Sequence, residues 1–512
     1  MTRARLILIL GVATILYFVD VLSLHCMLPI QMDEVSTYYH SRPDMPFSMT
    51  EALRIGTDAT TLPCIWLERM SLSLLGGWDR LLALRAPSLV AGWAAMILLF
   101  WHFHRRYGWV VALASTACFI AGRPFYYFVE ARPYSLSLLS GVLVLLSFER
   151  MARPNRASVV PILFLLSLWC ALCAQPVNIL LWPILGLAGI VRSIRIRSID
   201  IAYWATLSLG LFPFPLLTSH TARIAEVLKV EPWAPVAKSQ SWTFYYWALN
   251  PLIPIWLLAV LGFLAYLAVS RLMRGLPRGD DEAPQPVDSR ARVDAFDTAE
   301  VIVLEFGMLL VPAIGVVAAK LTTGVYVYRY GLLATLSVAS LQARSLDLTT
   351  RACRAMKGLC TALAAALFIP FYIYTNYYIY DTTMSNRIGS ELARLKASYG
   401  PVACATIAPA WYISYYHERT NGKDVVYLTG LSIPIDDFNM ERILPLLGTD
   451  VVCPLEDFRG YLERHRSFIL VGNTFPQTLE RLKQSGCEVV SIQGDWALRP
   501  ALVKRRDDVR GP

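Results

Sequence analysis

Two adjacent carboxylates, Asp33 and Glu34, follow the first apolar run, residues 6–24. A carboxylate there can take a proton from an attacking hydroxyl or amine, or help hold a divalent cation. Three further polar features interrupt apolar sequence. Glu130-Ala131-Arg132-Pro133-Tyr134-Ser135 opens a later run, Lys320 stands in a short turn between two runs, and Arg329-Tyr330 lies about one turn inside the next. Arginine and lysine can bind a phosphate and stabilise the charge it gains as a leaving group, arginine bidentately. Tyrosine can donate to phosphate or sugar oxygens. Ionisable groups at membrane depth are costly and face a cavity or a partner. Carboxylate, guanidinium and phenol at a lipid–water boundary suit transfer from a lipid phosphate. They suit ion transport less well, because the charges gather at one rim instead of lining a path across.

Plainer roles exist for the same residues. Asp33 and Glu34 are also readable as solvated loop carboxylates, Arg132 and Arg329 as structural partners of Glu130 or Glu305, and Arg123 as snorkelling to headgroups. His25, His40 and His220 are scattered candidates for a metal, and Asp33 is another. Cys170 and Cys173 form a CxxC inside an apolar run, where core packing is the natural role.

The elements that must position these groups are membrane helices. Of 512 residues, 55% are hydrophobic and 17% charged, too apolar for an ordinary soluble chain. The net charge of +9 falls mostly between apolar runs, so membrane topology explains it better than nucleic acid does. Residues 1–24 lack a small-residue cleavage pattern and form the first span. Further spans are expected at 81–103, 110–128, 133–150, 159–174, 177–191, 201–217, 251–269, 301–319, 325–341 and 359–379, about eleven in all. Short inner loops are rich in Arg and Lys, which places the N-terminus inside and the C-terminus outside. The first outer loop, 25–80, contains helical periodicity at 49–56 and 62–75, read as helices lying on the membrane surface. Residues 271–299 are Arg-, Asp-, Pro- and Gly-rich and read as a disordered cytoplasmic loop.

From residue 380 to 512 the pattern changes. Runs at 402–407, 425–428, 449–453 and 468–471 are strand-like, and 411–419 and 476–484 are helix-like. This is a small α/β domain, extracytoplasmic by the topology. Residues 1–379 form the membrane domain. Cys404, Cys453 and Cys487 would then lie in an oxidising space, an odd number.

The Asp33-Glu34 pair, Arg85-Ala86-Pro87-Ser88 near the start of span two, Glu130-Ala131-Arg132-x-Tyr134 and the late Arg329-Tyr330 occur in an order that resembles the GT-C membrane glycosyltransferases. The chain is most similar to bacterial relatives of protein O-mannosyltransferases and of the lipid A aminoarabinose transferase. The resemblance covers residues 1–379. It implies that Asp33 acts as catalytic base or near a divalent metal, with Glu34 assisting. It implies that Arg132, Tyr134, Arg329 and Tyr330 bind the donor phosphate. Lys320 has no counterpart in the family and is added on its position alone. Two stretches depart from the pattern. Relatives carry His-Pro-Pro in the first loop, where this chain has Ala59-Thr60-Thr61-Leu62-Pro63-Cys64, and a His-Tyr pair where span five meets span six, where this chain has Gln175-Pro176. Both bear on acceptor identity and metal use.

The expectation is therefore a polytopic α-helical membrane protein with a GT-C-like fold and a C-terminal extracytoplasmic α/β domain, multi-pass in the plasma (inner) membrane. Its expected activity is inverting transfer of a hexose or pentose from a polyprenyl-phosphate donor to an extracytoplasmic lipid, glycan or protein. Membrane lipids are partners and nucleic acid is not. A lipid-glycan flippase would show internal repeats and broken midplane helices. A non-catalytic scaffold would keep the outer domain without the rim chemistry.

Overall fold

The computed structural model describes residues 3–27, 32–45, 61–121, 124–153, 156–218, 298–321, 328–352, 384–404, 425–429, 431, 455–471, 476–492 and 500–505. The expected spans at 251–269 and 359–379, residues 271–297 of the expected loop 271–299, the surface helix at 49–56, the helix at 411–419, the strand at 449–453 and Arg123 lie outside them. Two compact units emerge: one of Met1–Leu22, Thr60–Glu68 and Arg85–Tyr377, the other of Ser23–Ala59, Arg69–Leu84 and Tyr378–Pro512.

The chain opens with α1 (Arg3–Met27) and α2 (Met32–Ser41), then α3 (Leu62–Leu75) and α4 (Arg80–Tyr107). Next come α5 (Trp109–Ala121), α6 (Pro124–Val129), α7 (Tyr134–Ala152), α8 (Val160–Ala174), α9 (Leu181–Ile196), α10 (Ile201–Gly210) and α11 (Pro213–Thr218). After the undescribed stretch follow α12 (Ala299–Gly307), α13 (Val311–Leu321) and α14 (Ala334–Ala352). Among the described residues, five helical stretches are long and apolar enough to cross a membrane: Arg80–Tyr107, Tyr134–Ala152, Pro176–Ile196, Ile201–Thr218 and Ala299–Leu321.

Prolines explain where the helices depart from continuous spans. The expected span 201–217 is two helices, because Pro213 starts a new helix at α11. The stretch 299–321 tightens to a 3-10 turn at Met308–Leu310, since Pro312 has no N–H to return to Met308. The expected span 110–128 likewise divides into α5 and α6, with Pro124 at the start of the second. Pro87 sits inside α4 and leaves the carbonyl of Ala83 without its helical donor. The Ser71 hydroxyl of α3 supplies one instead, donating to that oxygen at 2.6 Å.

Small residues let helices of the first unit approach closely. A Cβ at Gly92 would meet the Phe128 ring at 2.6 Å and the Tyr17 hydroxyl at 2.7 Å. Tyr17 donates to the Leu89 carbonyl at 2.8 Å, and Trp93 Nε1 to Thr14 at 3.1 Å, so α1 lies along α4. The other face of α1 exposes Ile7, Leu8, Ile15 and Val19, as a lipid-facing helix does. In α3, Trp66, Met70 and Leu74 are exposed while Cys64, Ile65 and Leu72 are buried, the pattern of a helix lying on a membrane surface.

In the second unit, α15 (Met384–Tyr399) leads into strands β1 (Val402–Cys404), β2 (Val425–Thr429), β3 (Leu455–Asp457), β4 (Ser467–Val471), β5 (Cys487–Ser491) and β6 (Ala501–Arg505). Between them lie α16 (Phe458–Arg464) and α17 (Pro476–Gln484). The sheet order is β3-β2-β1-β4-β6-β5. β3, β2, β1 and β4 run parallel, β6 pairs antiparallel with β4, and β5 pairs antiparallel with β6. β1 and β4 are buried nearly throughout, as central parallel strands require. Leu428, Phe458, Tyr461, Phe468, Leu482 and Val503 form the core. Cys404 and Cys487 are buried there.

Candidate functional site

The Glu130–Tyr134 motif forms a bend between α6 and α7. Pro133 has no N–H and leads directly into the first turn of α7. The bend is pinned from three sides. Arg132 N–H donates to the Glu130 carbonyl at 2.8 Å, Ser88 of α4 donates to the Arg132 carbonyl at 3.0 Å, and Ser135 donates to the Tyr127 carbonyl at 2.7 Å. Tyr134 is buried and meets the Tyr127 ring edge-on at 5.0 Å. Glu130 is buried and Arg132 half-buried. The backbone that carries the Arg132 guanidinium is thus fixed.

One turn into α7, the Ser137 hydroxyl donates to Asn178 Oδ1 at 2.9 Å. Asn178 lies in the 3-10 turn Pro176–Leu180, and its Nδ2 donates to the Ala171 carbonyl at 2.8 Å. The same turn packs against α13. Lys320 is exposed in the last turn of α13, inside the helix and not in the loop expected for it. Tyr330 packs on Val316 and Ala319 of that helix. Arg329 and Tyr330 occupy a 3-10 turn, Tyr328–Gly331, ahead of α14, where a continuous helix from 325 was expected. The turn 176–180 thus joins α7, which opens at Tyr134, to α13, which carries Lys320 and meets Tyr330.

The end of α8 beside this turn gathers donors from distant sequence. Thr61 and Cys64, at the start of α3, donate to the Cys173 carbonyl, and Cys64 Sγ also reaches the Ala174 oxygen at 3.3 Å. Helix C-terminal carbonyls lack intrahelical donors, and these side chains satisfy them. Thr61 and Cys64 therefore lie beside the end of α8, next to Gln175 and Pro176.

Asp33 and Glu34 belong to the second unit. They stand in the first turn of a helix, α2, and not in a loop. Acidic residues suit that end of the helix dipole. Glu34, Thr37 and Ser41 share one face at helical spacing and are buried, as is His40. Full burial rules out a solvated Glu34. The chain beyond α2 is held by Arg42, which donates to Asp44 at 3.0 Å, and by Arg69, which donates to the Pro43 and Met45 carbonyls. The Arg42 hydrogen bond holds the Asp44 carboxyl below its ordinary range, against the opposing effect of burial. His25 pairs with Asp79 at 3.4 Å. Burial pushes the Asp79 carboxyl up, but the Leu82 and Leu81 N–H groups and His25 outweigh it and keep it low. Among the described residues no three of His, Cys, Asp and Glu cluster as metal ligands.

Glu305 meets Arg106 at 2.7 Å and Arg344 at 2.6 Å, so it is a partner of these arginines. Around it, at one end of the first unit's helices, His102 meets Glu149 at 3.1 Å and Arg153 meets Glu149 at 3.3 Å. Nearby, Asp200 takes Arg156 at 2.5 Å and Arg192 at 2.9 Å, and Glu300 takes Arg195 at 2.6 Å. The arginines among these, Arg106, Arg153, Arg156, Arg192, Arg195 and Arg344, belong to the basic clusters expected in inner loops, and they converge on these acidic partners.

Sequence reasoning missed Ser137 and Asn178 and gave Ser88 no role. Their only signal was a polar residue inside an apolar run.

No protein-family model and no curated protein sequence matches the chain. Among solved structures it is similar to ArnT from Cupriavidus metallidurans in the apo state. The TM-score is 0.50 and the identity 13%, and the match covers 99% of each chain. At that identity the likeness is one of fold alone.

Proposed function

We propose that this chain is a membrane glycosyltransferase that moves a sugar from a polyprenyl-phosphate donor to an extracytoplasmic acceptor. The observation that carries the reading is the turn 176–180, which bonds to Ser137 of the helix that follows the pinned Arg132–Tyr134 bend and packs against α13, the helix that carries Lys320 and meets Tyr330. Cationic and phenolic groups on elements that this turn connects suit a lipid phosphate. The GT-C-like fold supports the same reading.

In this mechanism Asp33 removes the proton from an acceptor hydroxyl or amine, and Glu34 assists. The acceptor attacks the anomeric carbon and inverts it. The bond from that carbon to the phosphate oxygen breaks with its electron pair on the phosphate. Arg132 and Arg329, with Lys320 and the Tyr134 and Tyr330 hydroxyls, stabilise the departing lipid phosphate. The acceptor is a lipid, a glycan or a protein. A divalent metal would help bind the phosphate, with Asp33 as its ligand, and no step here depends on it. The protein sits in the plasma membrane with its N-terminus inside and the domain from 380 outside.

The test is transfer from radiolabelled polyprenyl-phosphate sugars in membranes, comparing wild type with Asp33→Ala and Arg132→Ala. Label in a product with wild type and in neither variant supports the reading. Undiminished transfer by Asp33→Asn would sink the mechanism. Lipid translocation across liposomes without transfer from any donor would replace it with a flippase.

A further inference from the structure

The stretch Ile194-Arg195-Ile196-Arg197-Ser198-Ile199-Asp200-Ile201 interleaves isoleucine with charge. It holds the turn between α9 and α10. That turn joins two stretches long and apolar enough to cross a membrane, Pro176–Ile196 and Ile201–Thr218, so it stands at a membrane boundary. Ile194, Ile199 and Ile201 are 71%, 72% and 77% exposed. Three isoleucines without protein cover beside arginines suit the layer where headgroups meet acyl chains.

Arg197 has a backbone that its side chain does not favour. Its φ of 53° and ψ of 31° lie in the left-handed region, and among the described residues it is the one non-glycine with a positive φ. Its N–H donates to the Ile194 carbonyl and Ser198 N–H to the Ser193 carbonyl, both at 3.2 Å. This pair of bonds closes a helix through a left-handed residue, a place that glycine usually holds without steric penalty. An arginine kept there points to a use for its side chain.

The protein's own acids do not supply that use. Asp200 takes Arg156 at 2.5 and 2.7 Å, Arg192 at 2.9 Å and Tyr203 N–H at 3.1 Å. Glu300 takes Arg195 at 2.6 and 3.0 Å and Arg192 at 3.4 Å. Four arginines thus stand at this turn against two carboxylates whose oxygens are engaged. Arg197 is exposed and makes no ion pair among the described residues.

We propose that the turn 197–200 binds an anionic phospholipid of the bilayer, with the Arg197 guanidinium on its phosphate and Ile194, Ile199 and Ile201 against its glycerol and acyl chains. A guanidinium meets two phosphate oxygens at once. Basic groups between membrane helices select anionic over zwitterionic headgroups. The isoleucines favour a lipid over a soluble phosphate, which would leave them in water. The assignment does not rest on the transferase reading, and its test requires no sugar transfer.

The experiment titrates phosphatidylglycerol or phosphatidylcholine into the full-length protein in detergent and counts bound lipid by native mass spectrometry. Wild type should prefer phosphatidylglycerol. Arg197→Gly should lower that preference about 5-fold, the weight of one basic residue at an anionic surface. Arg197→Lys should keep part of it. Glycine accepts the left-handed backbone, so Arg197→Gly should unfold without lipid at no lower a temperature than wild type. Arg459→Gln, which removes an exposed arginine from α16, should leave the preference unchanged. Equal affinity of wild type for the two lipids would overturn the proposal, as would an undiminished preference in Arg197→Gly. The same loss in Arg459→Gln would assign the effect to overall charge and also overturn it. Inorganic phosphate that raised the wild-type unfolding temperature as much as phosphatidylglycerol does would make this a soluble-anion site and sink the lipid assignment.

Discussion

Single residues give the sharpest tests. Arg132 is held on a bend whose carbonyl is fixed by Ser88. If its guanidinium stabilises the leaving phosphate, Arg132→Ala should lower kcat by about 10²–10³-fold, the scale seen when one preorganised donor is lost. Arg132→Lys should recover only part, because a point charge does not replace a bidentate fork. Initial rates with saturating donor would check both. Asp200 tests the opposite rim. Arg156 bonded to it, with Tyr203 N–H and Arg192 adding, holds its carboxyl well below the usual range despite the upward push of burial. A lowered folded value means that its contribution is full above an unfolded pKa of about 3.9 and fades as the pH falls from there through the folded value. Thermal unfolding across that acid range should show the loss in wild type, and Asp200→Asn should flatten the limb. A wild-type acid limb unchanged in the variant would show that other carboxylates govern it.

At the scale of elements, α4 and α3 depend on one hydroxyl. Pro87 deprives the Ala83 oxygen of its helical donor, and Ser71 replaces it. Ser71→Ala leaves a buried carbonyl unsatisfied, which costs about 1–3 kcal/mol. Unfolding by denaturant in detergent would read the loss, while Ser73→Ala, whose hydroxyl bonds back within its own exposed helix turn, should change little. The apolar runs made α3, α4 and α8 legible within a few residues. Three features were not. Proline breaks at 213 and 312 do not interrupt hydrophobicity, so runs of apolar sequence conceal a change of helix. Asp33 and Glu34 resembled a polar loop, because a helix that buries Glu34, Thr37 and Ser41 carries no apolar stripe to betray it. β5 and β6 escaped notice because β5 carries Glu488, β6 ends in Lys504 and Arg505, and both belong to the antiparallel side of the sheet, where part of each strand stays exposed. The central strands β1 and β4 were legible because both faces are buried. Of the candidate site, the ionisable residues could be read from the sequence, but their supports could not. Ser88, Ser137 and Asn178 act through pairings 41 or 44 residues apart that no local pattern encodes.

For the whole molecule, the ends of helices decide the topology. His102, Arg106, Glu149, Arg192 and Arg195 lie near the C-terminal ends of α4, α7 and α9, and Glu300 and Glu305 lie in α12. Their ion pairs can form only if those ends share one rim, as alternating crossings require. Glu305 is the centre of this assembly: both it and Arg106 are nearly inaccessible. Removing one partner of such a pair strands a buried charge and costs about 3–5 kcal/mol. Glu305→Ala should therefore lower the unfolding midpoint more than Ser71→Ala does. Glu305→Ala combined with Arg106→Met should recover part of the loss, because an apolar replacement of both partners removes the stranded charge. Fluorescence-detected thermal unfolding of the single and double variants would measure it. Additive losses in the double variant would show that Arg106 and Glu305 do not compensate each other, and the shared-rim account of the helix ends would lose its central pair.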